Sequence, residues 1–356
     1  MSYARLVLCL GAAAVVPAVA QPTDISGDWI NVLTNFGQKQ YARITLKQTG
    51  TTVGGSLNQM TLTGTMRDGK VEIDGRNPSG RTIKLSGTFD GSQIRGNLTG
   101  PDVKMEWLAY REKPAPASPT THTFEPKEFH NFFSGAIPPV LHVFPGDTIK
   151  TWTVDAGGSD ASGKRRSNGG NPETGPFYIE GAMPGDALAI KLVRVRLNRD
   201  SAISSPGIAG SALAPYYLRD LEKVENFNAD WTIDRERGVA HLKEPTEKLK
   251  DYTVPLRPML GCIGVAPPGD MVYRSGFLGA FGGNMDYNEL REGVTLYLPV
   301  FQPGALLFVG DGHALQGDGE LTATRSKLRW TSRSRSTWFA AAHAARADLA
   351  SRTTIT

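Results

Sequence analysis

A repeated pattern of short strands and glycine-centred turns most constrains the fold of residues 26–110. Residues 62–69 and 85–91 each run from a strand through a glycine into a second strand and then an Asp-Gly pair. Asp-Gly favours the two-residue hairpin turns whose twist matches that of the flanking strands. About eight strands fit here, so the pattern predicts a closed up-and-down β-barrel. No ionisable cluster lies in it, and its role stays open between a ligand-binding cup and a stabilising or docking module.

The first twenty residues have the pattern of an export signal. Arg5 supplies a positive charge, residues 6–16 form an apolar stretch too short to span a bilayer, and residues 18–20 form a small-x-small cleavage site. We expect residues 1–20 to be a signal peptide and the mature protein to be periplasmic or secreted. No run of ~18 apolar residues follows, so no membrane span is expected. The cysteine that remains, Cys262, is expected to be a small buried apolar residue.

The net charge of +4 is concentrated at one end of the chain. Residues 321–356 hold seven Lys or Arg and one Asp, whereas the preceding residues hold 32 Lys or Arg and 34 Asp or Glu. The basic character therefore belongs to the C-terminal tail. A folded body with a slightly negative balance disfavours a nucleic-acid partner.

A proline-rich segment divides the chain. Residues 113–121 contain three prolines spaced by small residues and predict a stiff linker between a barrel module at 24–112 and a larger body at 122–322. Apolar runs in the body predict strands at 140–143, 187–192 and 294–298, with short helices near 216–224 and 285–292. The predicted fold class is mainly β, with a small up-and-down barrel and a larger, β-sandwich-rich body.

Candidate chemical groups are most concentrated in residues 310–320. This segment holds three carboxylates, one imidazole, one amide and four glycines. Glycine lets the backbone fold tightly, so that side chains two and three residues apart can converge. Such a group can hold a divalent metal or act as an acid/base pair on water. A simple polar turn is the alternative.

Several short sequence motifs of the body, in order from His130 to Glu320, resemble those of the acetamidase/formamidase family. The residues that carry the resemblance include Pro145-Gly146-Asp147, Thr174-Gly175-Pro176, Glu180-Gly181-Ala182, Pro258-Met259-Leu260-Gly261, Gly282-Gly283-Asn284-Met285-Asp286, Leu296-Tyr297-Leu298-Pro299-Val300 and the segment 310–320. The resemblance implies hydrolysis of a small aliphatic amide to a carboxylate and ammonia. It also implies a β-rich fold that often forms homo-oligomers. It does not cover residues 26–110, whose predicted barrel is loosely similar to lipocalin-like domains.

The residues and the resemblance together suggest a mechanism. Amide hydrolysis needs an activated water, a polarised carbonyl and a proton for the leaving amine. We expect a divalent metal ion, with zinc as the candidate, to be held by some members of one set: His130, Asp155, Asn284, Asp286, Asp311 and His313. Glu320 is the expected general base, and Asp318 and Gln316 are the expected orienting residues.

The tail does not continue the family's pattern. Residues 323–338 contain no Glu, no Gly and no strand alternation. Codons can be chosen for residues 323–338 such that a second reading frame of the same DNA encodes acidic residues or Thr alternating with Val. Such alternation is typical of a half-buried strand. We hypothesise a frameshift near residues 321–324, which would leave the chain as written inactive or unstable. A genuine basic, disordered tail is the alternative.

A second class of function stays open. A non-catalytic periplasmic binding protein could carry a degenerate or truncated amidase body. Retention of Asp311, His313, Asp318 and Glu320 favours the enzyme. The altered tail, and Phe132-Phe133 where many relatives carry Trp, favour the binding protein. Metal content discriminates between the two, because a binding scaffold has no need of a divalent ion.

Overall fold

A computed structural model describes residues 24–204, 214–217 and 229–317, together with the backbone of Thr337–Ala345. The predicted signal peptide lies outside the described residues. The chain divides into two compact units, Met1–Phe36 with Arg43–Arg111, and Gly37–Ala42 with Glu112–Thr356. Within the described part of the chain, no helix has the length and hydrophobicity needed to cross a membrane.

The first unit is built around a closed eight-stranded barrel. Its strands are β1 Gly27–Asn35, β2 Gln38–Thr49, β3 Thr52–Leu57, β4 Met60–Arg67, β5 Lys70–Arg76, β6 Thr82–Phe89, β7 Gln93–Gly100 and β8 Val103–Arg111. Neighbours along the chain are neighbours in the barrel, and β1 pairs antiparallel with β8 to close it. The predicted up-and-down barrel is therefore confirmed.

Apolar side chains fill the barrel at alternating strand positions, as the period-two pattern requires. Trp29, Ile73, Leu85 and Trp107 are almost completely buried. Trp107 Nε1 donates a hydrogen bond to the Oδ1 atom of buried Asn31 at 2.5 Å. The indole N–H thus has a partner inside an otherwise apolar interior.

The second unit consists mainly of short strands. They are β9 Thr121–Thr123, β10 Phe132–Ser134, β11 Leu141–Val143, β12 Thr148–Thr151, β13 Thr174–Ile179, β14 Ala187–Arg194, β15 Ser201–Ser204, β16 Ala229–Asp234, β17 Val239–Leu242, β18 Thr253–Pro255, β19 Met259–Val265, β20 Val272–Arg274, β21 Leu278–Gly279, β22 Gly282–Asn284, β23 Thr295–Pro299, β24 Leu307–His313 and β25 Thr337–Ala345. The three strands predicted in the body correspond to β11, β14 and β23, and the mainly β fold class is confirmed.

These strands form four sheets. A six-stranded sheet has the order β11-β13-β24-β19-β22-β21, and a five-stranded sheet has the order β23-β14-β25-β12-β9. A four-stranded meander contains β15 to β18, and β10 pairs with β20. Phe177, Ile190, Ile263 and Phe308 belong to the apolar core of this unit.

Strands β19 and β24 lie side by side at the centre of the six-stranded sheet. They pair antiparallel from Met259 opposite His313 to Val265 opposite Leu307. Every residue of both strands is buried. This continuous burial fits central strands covered on both faces. Cys262 is buried on β19, as the sequence predicted.

Two predictions in this unit need comment. The helix predicted at residues 285–292 is wrong: the segment forms turns, and Asp286 has a left-handed φ of 45°, which a right-handed helix does not admit. The helix predicted at residues 216–224 lies largely outside the described residues.

The backbone of β25 belongs to the C-terminal tail, for which no regular structure was expected, and this strand pairs with β12 and β14. The frameshift hypothesis stays a prediction.

Candidate active site

Three side chains at one end of the central strands form a carboxylate–imidazole cluster. Asp311 and His313 come from β24, and Asp286 follows β22. One ligand atom from each lies within 4.8 Å of the other two. His313 Nε2 is 3.5 Å from Asp311 Oδ1 and 3.6 Å from Asp286 Oδ1. Asp311 and His313 are each 2% exposed, whereas the Asp286 side chain is 12% exposed, so Asp286 lies on the solvent side of the cluster.

A glycine makes room for this cluster. Gly261 on β19 faces it, and a Cβ atom at this position would lie 2.7 Å from Asp286 Oδ1, 2.8 Å from His313 Nε2 and 2.9 Å from Asp311 Oδ2. Three potential ligand atoms therefore converge on a hollow that any other residue would fill. Asp286 Oδ1 is buried and accepts no hydrogen bond from the described residues.

Two asparagines hold the carboxylates in place. Asn171 Nδ2 donates to Asp311 Oδ2 at 3.0 Å and to Asn284 Oδ1 at 2.5 Å. Asn284 Nδ2 donates in turn to Asp286 Oδ2 at 2.5 Å. Asn284, a candidate metal ligand from the sequence, thus contacts the cluster as a hydrogen-bond donor. Asn171 joins both carboxylates into one network across the strands.

The backbone is unusual at three of these residues. Asn171, Asp286 and Asp311 have φ values of 57°, 45° and 50°, in the left-handed region. Asn and Asp tolerate this region better than other residues with a side chain, and such conformations concentrate at functional sites. The register between β19 and β24 skips the position of Asp311. The left-handed turn there sets the direction of its carboxylate.

Glu173 is a buried carboxylate that the sequence analysis did not select. It is 0% exposed, and a Cβ atom on Gly310 would lie 2.4 Å from its Oε2 atom. Its carboxylate therefore packs against the residue that precedes Asp311. Gly261 ends one of the motifs that carry the family resemblance, and Asn171 and Glu173 come just before another, Thr174-Gly175-Pro176. Asn171 and Glu173 are brought to this region by the pairing of β13 with β24, and Gly261 by the pairing of β19 with β24. No local sequence signal predicts these long-range pairings.

His130 and Asp155 are not members of the cluster. His130 forms an isolated bridge with Glu173, and its ring lies 6.4 Å from the ring of Phe308. Burial lowers the pKa of His130, although the Glu128 carboxylate acts in the opposite direction. Asp155 is fully buried in another loop, where Oδ1 accepts a hydrogen bond from the Ser159 N–H and Oδ2 lies 3.6 Å from an Arg199 nitrogen. Asp155 thus anchors a loop.

The segment after His313 returns to the cluster. Gln316 Nε2 donates to the backbone oxygen of Asp286 at 3.2 Å. The structure thus brings five of the selected residues together, at the cluster or in contact with it: Asn284, Asp286, Asp311, His313 and Gln316. Asp318 and Glu320 lie outside the described residues, so their predicted roles stay predictions.

A buried group of two carboxylates and one imidazole, on the central strands of a β-rich unit, defines a candidate hydrolase site. The Acetamidase/Formamidase family model matches residues 280–326, which include all three cluster residues. The formamidase of Methylophilus methylotrophus is 26% identical over 247 residues, 55% of this chain and 60% of that protein. The acetamidase of Mycolicibacterium smegmatis is 26% identical over 54% of this chain and 61% of that protein.

The chain is also similar to solved structures of acetamidases. A predicted acetamidase/formamidase from Thermoanaerobacter tengcongensis is 27% identical, with a TM-score of 0.49 over 63% of this chain and 69% of that one. The acetamidase of Yersinia enterocolitica is 28% identical, with a TM-score of 0.48 over 62% of this chain and 67% of that one.

The family model and the curated relatives support the acetamidase/formamidase family for this chain, and the resemblance seen in the sequence is confirmed. This family comprises hydrolases that act on carbon–nitrogen bonds. The chain spans about three fifths of the length of the curated relatives it matches.

Proposed function

We propose that the second unit hydrolyses a small aliphatic amide, of the formamide or acetamide kind, to a carboxylate and ammonia. The observation that carries this proposal is the convergence of Asp286, Asp311 and His313 on the hollow at Gly261. The names of the relatives, formamidase and acetamidase, support the substrate class. In the reaction a water oxygen bonds to the carbonyl carbon, the C–N bond breaks, and a proton from the water goes to the leaving nitrogen.

The cluster fits a divalent metal ion. Imidazole nitrogen and carboxylate oxygens are the ligands that zinc takes in catalytic sites. Two buried carboxylates this close repel each other unless positive charge balances them. Asp286, Asp311 and His313 would therefore hold the ion, and the hollow at Gly261 leaves space for it. A bound divalent ion supplies Lewis acidity toward the amide carbonyl and toward water.

The remaining residues of the site orient these groups. Asn171 and Asn284 hold the two Asp side chains through their amide hydrogens. In Asp286 the hydrogen bond engages Oδ2 and leaves Oδ1 directed to the hollow, whereas in Asp311 the oxygen that accepts from Asn171, Oδ2, itself faces the hollow. Gln316 ties the segment after β24 to Asp286. We retain Glu320 as the general base that takes a proton from water and passes it to the leaving amine.

The proposal extends to the location and the reading frame of the protein. The sequence pattern of residues 1–20 supports export to the periplasm or beyond. The composition of residues 323–338 supports a frameshift near 321–324. Sequencing of the gene tests the frameshift directly, because an unambiguous frame whose codons do not encode the alternating peptide would exclude it.

The decisive experiment measures ammonia release and metal content together. The mature protein is prepared as written and with the second reading frame restored after Glu320, and each is assayed with formamide, acetamide and propionamide. We expect ammonia release together with about one divalent ion per chain. His313→Gln should lower the metal content, and it should lower kcat/KM at least about 100-fold. His241→Gln, in the four-stranded sheet, is the matched control.

Each outcome decides between the two classes of function. Activity only in the restored form supports an amidase whose written tail is damaged. A folded protein that holds metal but releases no ammonia in either form contradicts amide hydrolysis. A folded protein with neither metal nor activity favours the non-catalytic binding protein, because a binding scaffold does not need the ion.

A further inference from the structure

Asn171 carries one polar atom for which the network around the cluster has no use. The residue is 5% exposed, and its Nδ2 atom donates to Asp311 Oδ2 at 3.0 Å and to Asn284 Oδ1 at 2.5 Å. Both amide hydrogens are therefore engaged. The Oδ1 atom of Asn171 accepts no hydrogen bond from the described residues, and it is not sealed from solvent. An acceptor in such a place is satisfied by water or by a bound ligand.

The carboxylates at the two ends of the network determine which way the Asn171 amide faces. An ionised carboxylate only accepts hydrogen bonds, so each Asp needs an N–H group from its asparagine. Asp286 takes Nδ2 of Asn284, which leaves Asn284 Oδ1 to accept from Asn171. If the oxygen and nitrogen of Asn171 were exchanged, two oxygens would face each other at both of its contacts. The atom left over on Asn171 is therefore an oxygen, and the network keeps it so.

This oxygen lies close to the atoms of the cluster. The oxygen and nitrogen of one amide share a carbon atom and are at most about 2.6 Å apart, so Asn171 Oδ1 lies within about 6 Å of Asp311 Oδ2. Residues 168–170, which precede Asn171, are exposed. Asn171 is thus the residue at which the chain passes from the surface to the cluster.

An amide substrate has the donor that this oxygen lacks. The nitrogen of formamide or acetamide carries two N–H groups and is bonded directly to the carbonyl carbon that water attacks. We propose that Asn171 Oδ1 accepts a hydrogen bond from the N–H group of the substrate, which makes Asn171 the residue that selects amides over esters. An ester has an oxygen without hydrogen in the same position, and two acceptors repel each other. The N–H group keeps its hydrogen when the C–N bond breaks, so the contact persists until ammonia leaves. This inference rests on the proposed function and names the substrate group that is recognised.

The test compares an amide with an ester of the same acyl group, in the reading frame that hydrolyses either one. The measured quantity is kcat/KM for acetamide divided by kcat/KM for methyl acetate. Esters react faster than amides with hydroxide, so this ratio is compared with the ratio of the two hydroxide reactions. We expect the parent ratio to be at least about 100-fold higher, because a site that binds an N–H group strongly rejects an analogue without it.

Asn171→Gly removes the acceptor, and glycine adopts the φ of 57° found at this position without strain. We expect the ratio to fall at least about 10-fold in this variant. Asn284→Ala is the matched control: it also breaks the network and should lower kcat/KM for both substrates, but it leaves Asn171 Oδ1 in place and should retain the parent ratio. The ratio cancels any loss of metal or of folded protein, since both substrates use the same sites. An equal fall in the two variants would mean that Asn171 only positions the carboxylates, and it would overturn the proposal.

A second variant and the parent protein cover the remaining cases. Asn171→Asp keeps an acceptor oxygen and tolerates the left-handed backbone, but it has no N–H group for Asp311. It should therefore lower kcat/KM for both substrates and retain a ratio above that of Asn171→Gly, and a folded Asn171→Asp protein with no amide preference would overturn the proposal. If neither variant folds, the parent protein decides, since a parent ratio equal to that of the hydroxide reactions overturns the assignment of Asn171 alone. A folded parent protein that hydrolyses neither substrate contradicts the proposed function, and the assignment falls with it.

Discussion

The barrel and the second unit are both β-structures, but they bury different groups. Within the described residues of the barrel, one polar side chain, Asn31, is buried, and it accepts the hydrogen bond of Trp107. The second unit buries many more polar and charged side chains, including Asp311, His313 and Glu173. Burial of a charged group is costly unless it is paired or binds a ligand. The buried polar side chains that could carry chemistry therefore lie in the second unit, and a structural role is the one that we predict for the barrel.

Glycines make the same contrast testable, and the largest effect is expected in the barrel. Gly96 on β7 faces Gly87 on β6, and a Cβ atom at Gly96 would lie 1.9 Å from the Ser86 backbone oxygen. Two backbones approach too closely here for any side chain. Gly96→Ala should therefore destabilise the protein by about 3 kcal/mol, measured by urea unfolding.

The control for this variant is Gly54→Ala on β3, where a Cβ atom would meet its nearest neighbour at 3.8 Å. The folded fraction of Gly96→Ala should keep the parent kcat/KM for the amide. A Gly96→Ala protein with full stability and reduced activity would contradict the assignment of a structural role to the barrel.

The next effect concerns the glycine at the site. In Gly261→Ala the new methyl group would occupy the hollow on which Asp286, Asp311 and His313 converge. We expect kcat/KM to fall about 100-fold, because small displacements of catalytic groups have effects of this size. Metal content should fall with it. Unfolding should shift less than in Gly96→Ala, since the atoms displaced belong to side chains and not to the backbone.

A matched variant shows whether the loss is specific to the hollow. A Cβ atom on Gly276 would have no neighbour within 4 Å, and its φ is not left-handed. Gly276→Ala should therefore retain both metal and activity. If Gly261→Ala retains them as well, the hollow has no part in the reaction and the site must lie elsewhere.

The two units also differ in how much of them could be predicted from the sequence. The barrel followed from local signals, because Asp-Gly turns and period-two alternation determine hairpins between neighbouring strands. In the second unit β24 lies between β13 and β19, which are distant from it and from each other in sequence. Local patterns give the strands but do not give this order.

Only part of the site could be predicted from the sequence, because it too depends on long-range strand pairing. Asp311 and His313 lie two residues apart, so their proximity could be expected from the spacing alone. Asp286 joins them only through the pairing of β22 with β19. Asp155 was a candidate ligand because it is also a carboxylate, but its side chain contacts Ser159 and Arg199 in another loop. The predicted helix at 285–292 failed because nothing local signalled the left-handed φ of Asp286.

The smallest effect that we predict concerns acid stability, where the two units again differ. Asp160 in the second unit is buried, and burial alone would raise its pKa. Hydrogen bonds from Ser162, Lys164 and Arg166 outweigh burial and lower the pKa of Asp160 from 3.8 to about 2. In the barrel, hydrogen bonds from the backbone N–H groups of Gln93 and Ser92 also lower the pKa of Asp90, but that carboxylate is fully exposed.

A folded-state pKa below the unfolded value contributes stability above about pH 4, and this contribution is lost as the pH falls toward 2. For Asp160 the shift corresponds to about 2 kcal/mol. Asp160→Asn should therefore unfold at lower urea than the parent at pH 7, and the difference should shrink as the pH falls from about 4 to about 2. Asp90→Asn is the matched control and should show a smaller difference at pH 7. An equal loss in both variants would mean that the hydrogen bonds of the buried Asp160 carboxylate stabilise the fold no more than those of the exposed Asp90 carboxylate, and the contrast between a charge-burying second unit and an apolar barrel would not extend to this loop.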